Sequence, residues 1–213
     1  MIPHRLTEIP ESAIDEVLFE IPEAPQDSVS WAIKKAIEEF CELSHYWKED
    51  IGPVRVMPGC SDYEVSAYGN AAIVSIVNIK TTSSDGRLIQ LERVSTDDVR
   101  YRFWQYTPFS ITISSVDELS GLDLSVFAAL KPIDCSSRFE FSESILIDYQ
   151  DAILAGARAR LYEVPRKPWF DPALHQKNRS IFVTAASDAL RSQGRGYSRL
   201  PDRSSKQKAR SFY

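Results

Sequence analysis

Apolar residues recur at helical spacing in the stretch from about Asp27 to Lys48. One face of this predicted helix is formed by residues at alternating steps of four and three, namely Ile33, Ile37, Phe40, Ser44 and Trp47. Asp27 is a suitable N-cap, and Gly52-Pro53 follows the last of these positions. The spacing therefore predicts a first amphipathic helix over about 27–48.

Between Val54 and Pro132 the pattern changes to an alternation of apolar and polar residues, which is typical of strands with one buried face. Positions of this kind are Phe109, Ile111 and Ile113, and then Leu122, Leu124, Val126, Ala128 and Leu130. The stretch 72–79 is apolar on both faces and predicts a central strand. Asp85-Gly86 separates it from 88–92 and predicts a hairpin, while 101–106 is a further strand rich in aromatic residues. We expect five to seven strands here and no helix among them.

Helical spacing returns near residue 144 and predicts two more helices. The second helix covers about 144–164, with Tyr149, Ile153, Ala157 and Leu161 on its buried side. Gly156 inside it indicates a close approach of another backbone, because glycine costs about 1 kcal/mol relative to alanine there. Asp171-Pro172 begins the third helix and Gly194 ends it. The predicted buried side of the third helix is Leu174, Ile181, Phe182, Ala185 and Ala189.

These patterns predict an α+β fold with an α-helical bundle core of three main helices. The bundle comprises residues 27–52 and 143–194, and a long antiparallel β-rich insertion, 53–142, lies between its first and second helices. An acidic extended segment, 1–26, with a short helix near 12–18, precedes the bundle, and an extended basic arm, 195–213, follows it. Because the three apolar faces must be buried together, the insertion must leave the bundle and return to the same place.

Charge is distributed unevenly along the chain, whose formal net charge is −5. Residues 195–213 contain six bases and one acid, so they carry +5 and the remaining residues carry −10. An arm so poor in apolar residues is expected to become ordered only on a partner. A nucleic acid and a protein are both possible partners, although the acidic remainder of the chain would repel nucleic acid. The candidate contact residues of the arm are Arg195, Tyr197, Arg199, Leu200, Arg203, Lys206, Lys208, Arg210, Phe212 and Tyr213.

The sequence contains no recognisable catalytic, cofactor-binding or metal-binding motif. The three histidines His4, His45 and His175 lack ligand spacing, and the three cysteines Cys41, Cys60 and Cys135 are far apart. No glycine-rich phosphate loop and no Gly-x-Ser-x-Gly elbow is present. We therefore expect a protein that is not an enzyme and that uses neither a cofactor nor a metal. No apolar run approaches the ~18 residues of a membrane span, so we expect folding in the cytosol without a membrane partner.

Two motifs resemble those of one protein family. Phe40-Cys41-Glu42-Leu43-Ser44-His45-Tyr46-Trp47 is similar to a Phe-Cys-x-x-Ser/Thr-x-x-Trp signature. Further along, Gly156-Ala157, Arg160-Leu161 and Lys167-Pro168-Trp169 are similar to a Gly-Ala-x-x-Arg-Leu signature followed by Lys-Pro-Trp and a new helix. In this order, and within the helix–β–helix–helix plan, they resemble the head-to-tail adaptor (connector) proteins of tailed bacteriophages, a group that includes tail tubular protein A of short-tailed phages.

The resemblance implies a structural protein of the virion neck, assembled in the host cytoplasm. Identical subunits would form a dodecameric ring beneath the portal protein and around the channel through which DNA leaves, without sequence-specific binding of that DNA. The arm would dock on the portal, and a tail or nozzle protein would lie below. Two alternatives stay open: another tail-completion or nozzle component, and a DNA-binding accessory protein that uses the basic arm.

The positions that match the two signatures have a structural interpretation that we favour. We expect these residues to determine the fold by packing the bundle, with Trp169 alternatively serving as an interface anchor, because tryptophan is enriched at binding hot spots. The residues are Phe40, Cys41, Trp47, Gly156, Leu161, Pro168 and Trp169.

Overall fold

A computed structural model of the chain describes residues 5–93, 100–134 and 138–194. It has the mixed α+β architecture that the sequence patterns predict. In the described ranges the chain forms five helices, a seven-stranded sheet and a two-stranded sheet. The helices are α1 (Glu11–Glu20), α2 (Gln26–Ser44), α3 (Val116–Leu119), α4 (Ser144–Tyr162) and α5 (Pro172–Gly194).

The first predicted helix is shorter than its pattern suggested. α2 follows Pro25, has Asp27 in its first turn rather than at the cap, and ends at Ser44 because His45 has a left-handed backbone with φ 51°. Trp47 therefore does not lie on the helical face to which its spacing assigned it. It directly precedes strand β2 (Lys48–Arg55), whose range contains the predicted boundary between residues 52 and 53.

The N-terminal segment contains the short helix that was predicted near 12–18. α1 occupies ten of its residues and buries Ala13, Ile14 and Val17. Before it, β1 (Leu6–Thr7) pairs antiparallel with β9 (Phe141–Ser142). The residues just before α1 are thus tied to the segment that leads into α4.

The helical layer contains α1 besides the three main helices that were predicted to form the bundle. α2, α4 and α5 pack against one another, and α1 also packs on α2 and α4. On α5 the buried residues are Phe182, Ala186 and Ala189, whereas Leu174 and Ile181, which were predicted to be buried, are exposed. The buried face of α5 is narrow because only α2 and α4 cover it extensively among the described elements.

The seven-stranded sheet has the order β2-β8-β4-β5-β6-β7-β3. Its other strands are β3 (Asp62–Glu64), β4 (Ala71–Thr82), β5 (Leu88–Arg93), β6 (Arg102–Thr107), β7 (Ser110–Ile113) and β8 (Asp123–Pro132). The predicted β4–β5 hairpin is present, and β4 lies inside the sheet as its two-sided apolar pattern indicated. β8 packs against α2, which joins the sheet to the helical layer.

Three details of the predicted β region are wrong. The sheet is not wholly antiparallel, because β5 and β6 pair in parallel over a short register. The short helix α3 interrupts a region expected to contain strands only. Phe109 is 61% exposed at the β6–β7 turn, because it precedes β7 and does not share the buried face of Ile111 and Ile113.

Candidate functional site

The first motif forms the end of α2 and its connection to β2. Phe40 and Cys41 are fully buried on α2. The hydroxyl Oγ of Ser44 donates to the Phe40 carbonyl at 2.6 Å and accepts from the Tyr46 backbone N–H at 3.1 Å. This pair of hydrogen bonds ends the helix in a buried environment, where unpaired backbone groups are costly.

Trp47 links this turn to the sheet. Its backbone carbonyl accepts from the Leu130 N–H at 2.8 Å, and its indole Nε1–H donates to Glu49 Oε1 at 2.7 Å. The side chain is 3% exposed. The motif therefore fixes the angle at which the chain passes from the helical layer into the sheet.

Gly156 of the second motif is closely approached, as predicted, but by the side-chain ring of Phe182 and not by another backbone. A Cβ placed on Gly156 would lie 2.5 Å from Cδ2 of Phe182 on α5. Phe182 in turn packs on Phe40 of the first motif, with ring centroids 6.2 Å apart. The structure thus brings the two motifs together through a residue of α5 that belongs to neither.

Two tyrosines extend this contact into an aromatic cluster. The Tyr149 ring lies 4.9 Å from that of Phe40 and 5.0 Å from that of Tyr46, measured between centroids. The Tyr46 hydroxyl donates a hydrogen bond to the Asp148 carboxylate. Tyr149 has a non-helical backbone, φ −136° and ψ 24°, so α4 is kinked where the cluster meets it.

The remaining motif residues have different environments. Leu161 is buried on α4. Burial raises the pKa of the Cys41 thiol, which keeps it protonated and unreactive. Pro168 is exposed, while Trp169 is partly buried with the Lys167 ammonium 5.7 Å from its ring centroid. The Trp169 indole N–H is buried and has no acceptor in the described part of the chain.

A charged cluster, which the sequence patterns did not reveal, joins three helices. Glu39 of α2 accepts hydrogen bonds from Arg160 of α4 and Arg179 of α5. Burial raises the pKa of Glu39, but the hydrogen bonds from the two guanidinium groups outweigh this effect and lower it. A cavity of about 290 Å³ beside the cluster is also lined by Glu163 and by His175, whose Nδ1 lies 2.9 Å from the Ala159 carbonyl.

This arrangement is suited to holding helices together. One carboxylate satisfies two guanidinium groups, which leaves neither arginine free to bind an anion without competition. No local signal predicted the cluster, because its members are distant in sequence and each resembles an ordinary surface charge. Among the described residues there is no group of three or more side chains that could hold a metal ion.

The predicted arm residues, Arg195 to Tyr213, lie outside the described residues, so their role stays a prediction. No helix in the described ranges is long and apolar enough to cross a membrane.

The comparisons with known proteins give similarities among solved structures alone. The chain matches no protein-family profile and no curated protein. Among solved structures, it is similar to a chain from the neck of an empty GTA particle computed with C6 symmetry, at 13% sequence identity and a TM-score of 0.26. The match covers 82% of this chain and 94% of that chain. A TM-score this low establishes no shared fold and carries no argument about function.

Proposed function

We propose that this protein is a structural head-to-tail adaptor of a tailed-phage virion. In this role it forms a dodecameric ring that joins the portal to the tail and surrounds the DNA exit channel, and it catalyses no reaction. The observation that carries the proposal is the meeting of the two adaptor-like motifs, through Phe182, in one aromatic cluster whose Phe40 and Phe182 rings are fully buried. Residues of the two motifs that are far apart in sequence thereby pack as one unit.

The charge distribution is consistent with this role. The net charge of −10 on residues 1–194 keeps a channel wall from gripping passing DNA, since like charges repel. The arm, with a net charge of +5, is the segment suited to dock on the portal. Many such arms acting together would hold firmly even if each one binds weakly.

Removal of the arm tests the portal contact. We expect a chain that ends at Gly194 to fold with an unchanged melting temperature, because the sequence of the arm is poor in apolar residues. We expect the same chain to lose co-sedimentation with purified portal rings. A matched variant that keeps the arm but replaces its six bases with glutamine separates the contribution of charge from that of chain length. Full docking of the truncated chain would overturn the role of the arm.

The basic arm also supports a second candidate, a DNA-binding accessory protein. Lysine and arginine bound to phosphates release counterions, so the affinity of such a protein for duplex DNA falls steeply with salt. A binding titration of the full chain at several salt concentrations distinguishes the two functions. Absence of duplex binding near physiological salt would eliminate the accessory protein and leave the adaptor.

A further inference from the structure

One end of the helical layer carries an exposed apolar surface that is bordered by acids. In the hairpin of α1 and α2, Phe19 is 89% exposed and Trp31 is 51% exposed. Glu23 and Asp27 lie between them in the sequence and are exposed, and Asp27 shares a helix face with Trp31 four residues later. From Leu6 to Ile33 the sequence has seven acids and no base. We call Phe19, Glu23, Asp27 and Trp31 the acidic patch.

A second exposed surface, with the opposite charge, lies where α4 gives way to α5. Phe170 is 44% exposed and Leu174 is 37% exposed. Lys167 and Lys177 are exposed around them, and no carboxylate in the described residues forms an ion pair with either. Two acids lie nearby, Glu163 and Asp171, but Asp171 is occupied in accepting hydrogen bonds from the backbone N–H groups of Ala173 and Leu174. We call Lys167, Phe170, Leu174 and Lys177 the basic patch.

The two patches lie at the same end of the layer. Arg158, near the C-terminal end of α4, forms an ion pair with Glu20 at 3.0 Å, which places the end of α1 beside it. One turn further along α4, the Tyr162 carbonyl accepts from the Asp171 N–H at 3.2 Å, which places the start of α5 there as well. Both patches are therefore at the level of the C-terminal end of α4.

The two patches also face different directions. α1 and α5 each pack on both α2 and α4, and no comparable contact joins α1 to α5 in the described residues. This arrangement puts α1 and α5 on opposite sides of the α2–α4 pair. One subunit thus presents complementary surfaces on two sides, at one height.

We propose that the acidic patch of one copy of this chain docks on the basic patch of the next copy. Such an interface is heterologous, and it closes into a ring when each copy is related to the next by rotation alone, which patches at equal height permit. Exposed aromatic side chains surrounded by charge of opposite sign on the two partners have the composition of an interface. The inference rests on the proposed ring and adds the residues that build it.

Compensating charge reversals in the full-length chain test this interface. One variant is E23K/D27K and the other is K167E/K177E. Each variant alone brings like charges together, so we expect the Kd of self-association to rise by at least about tenfold relative to the wild type. In a 1:1 mixture each reversed patch meets a complementary one, and we expect association to return towards the wild-type value. E64K/E92K reverses two exposed charges on the sheet and serves as the control that leaves association unchanged.

Sedimentation velocity gives the readout, over protein concentrations from about 1 μM to about 1 mM, with circular dichroism to verify that each variant folds. Exposed charges interact over long distances at about 10 mM salt and are screened at about 1 M salt, so we measure self-association at both concentrations. A mixture that fails to recover association, or a wild-type chain that stays monomeric throughout, would overturn the proposal. If self-association recovers in the mixture but the wild-type chain does not bind portal rings, the adaptor role is wrong and the interface stands. If the wild-type chain binds portal rings but self-association does not recover in the mixture, only the interface is wrong.

Discussion

At the residue scale, the most constrained position is Gly156. It lies inside α4, where its intrinsic helix propensity is poor, and its hydrogen points at the fully buried ring of Phe182. That ring cannot move freely, because it also packs on Phe40. The glycine is therefore explained by packing rather than by backbone conformation.

Substitution of Gly156 by alanine gives the first prediction. Overpacking against Phe182 outweighs the gain in helix propensity, and we expect G156A to lower the free energy of unfolding by about 1–3 kcal/mol in urea titrations. Shortening the opposing ring relieves the clash, so the loss in the double variant G156A/F182L should be smaller than the sum of the two single losses. Strict additivity of the two changes would show that the contact does not limit stability.

At the scale of secondary-structure elements, the ends of the helices are set by identifiable groups. Asp171 caps α5 by accepting hydrogen bonds from the N–H groups of Ala173 and Leu174 at 2.9 and 3.0 Å. The sequence predicted this cap, because aspartate followed by proline is a local signal. It did not predict the end of α2, where the buried Ser44 hydroxyl replaces a backbone partner.

Loss of the α5 cap gives the second prediction. We expect D171A to destabilise the chain by about 1 kcal/mol, since an unpaired helix N-terminus results. D171N keeps an oxygen acceptor and should retain most of the stability, which is measurable as a smaller shift of the melting temperature. Equal losses for both variants would indicate that charge, and not capping, is what matters at this position.

At the scale of the whole molecule, Glu39 joins the three helices α2, α4 and α5. Its carboxylate forms ion pairs with both Arg160 and Arg179, so the cluster connects segments that are remote along the chain. Both arginines stay charged across the accessible pH range, and the protonation of the cluster therefore depends on Glu39.

The pH dependence of folding stability gives the third prediction. The folded-state pKa of Glu39 is lowered from its ordinary 4.5, so its contribution is fully present above pH 4.5 and is lost as pH falls through the folded-state pKa. We expect E39Q to cost about 1 kcal/mol at neutral pH and progressively less below pH 4.5.

Denaturant titrations of the wild type and of E39Q at a series of pH values measure the difference in their free energies of unfolding. E38Q is the matched control, because Glu38 is the adjacent residue and pairs only locally with Lys35 in the described residues. A cost of E39Q that does not change with pH would show that the cluster acts through packing and not through charge.

The sequence by itself determined the α+β class, four of the helices, the β4–β5 hairpin and the Asp171 cap. Each of these is encoded in a local pattern of apolar spacing or turn residues, so a short window is sufficient to recognise it. The same patterns misassigned Phe109, Leu174 and Ile181, because spacing gives the direction of a side chain but not whether a neighbour covers it. They misassigned Trp47 to a helix because the left-handed backbone of His45 ends α2 before it.

Only the tertiary structure decided which distant residues meet. The contact of Gly156 with Phe182, the bonds of Glu39 to two arginines and the placement of opposite patches at one end depend on how α1, α2, α4 and α5 pack. Packing is cooperative and joins segments separated by the whole sheet, so no local pattern in the sequence contains it.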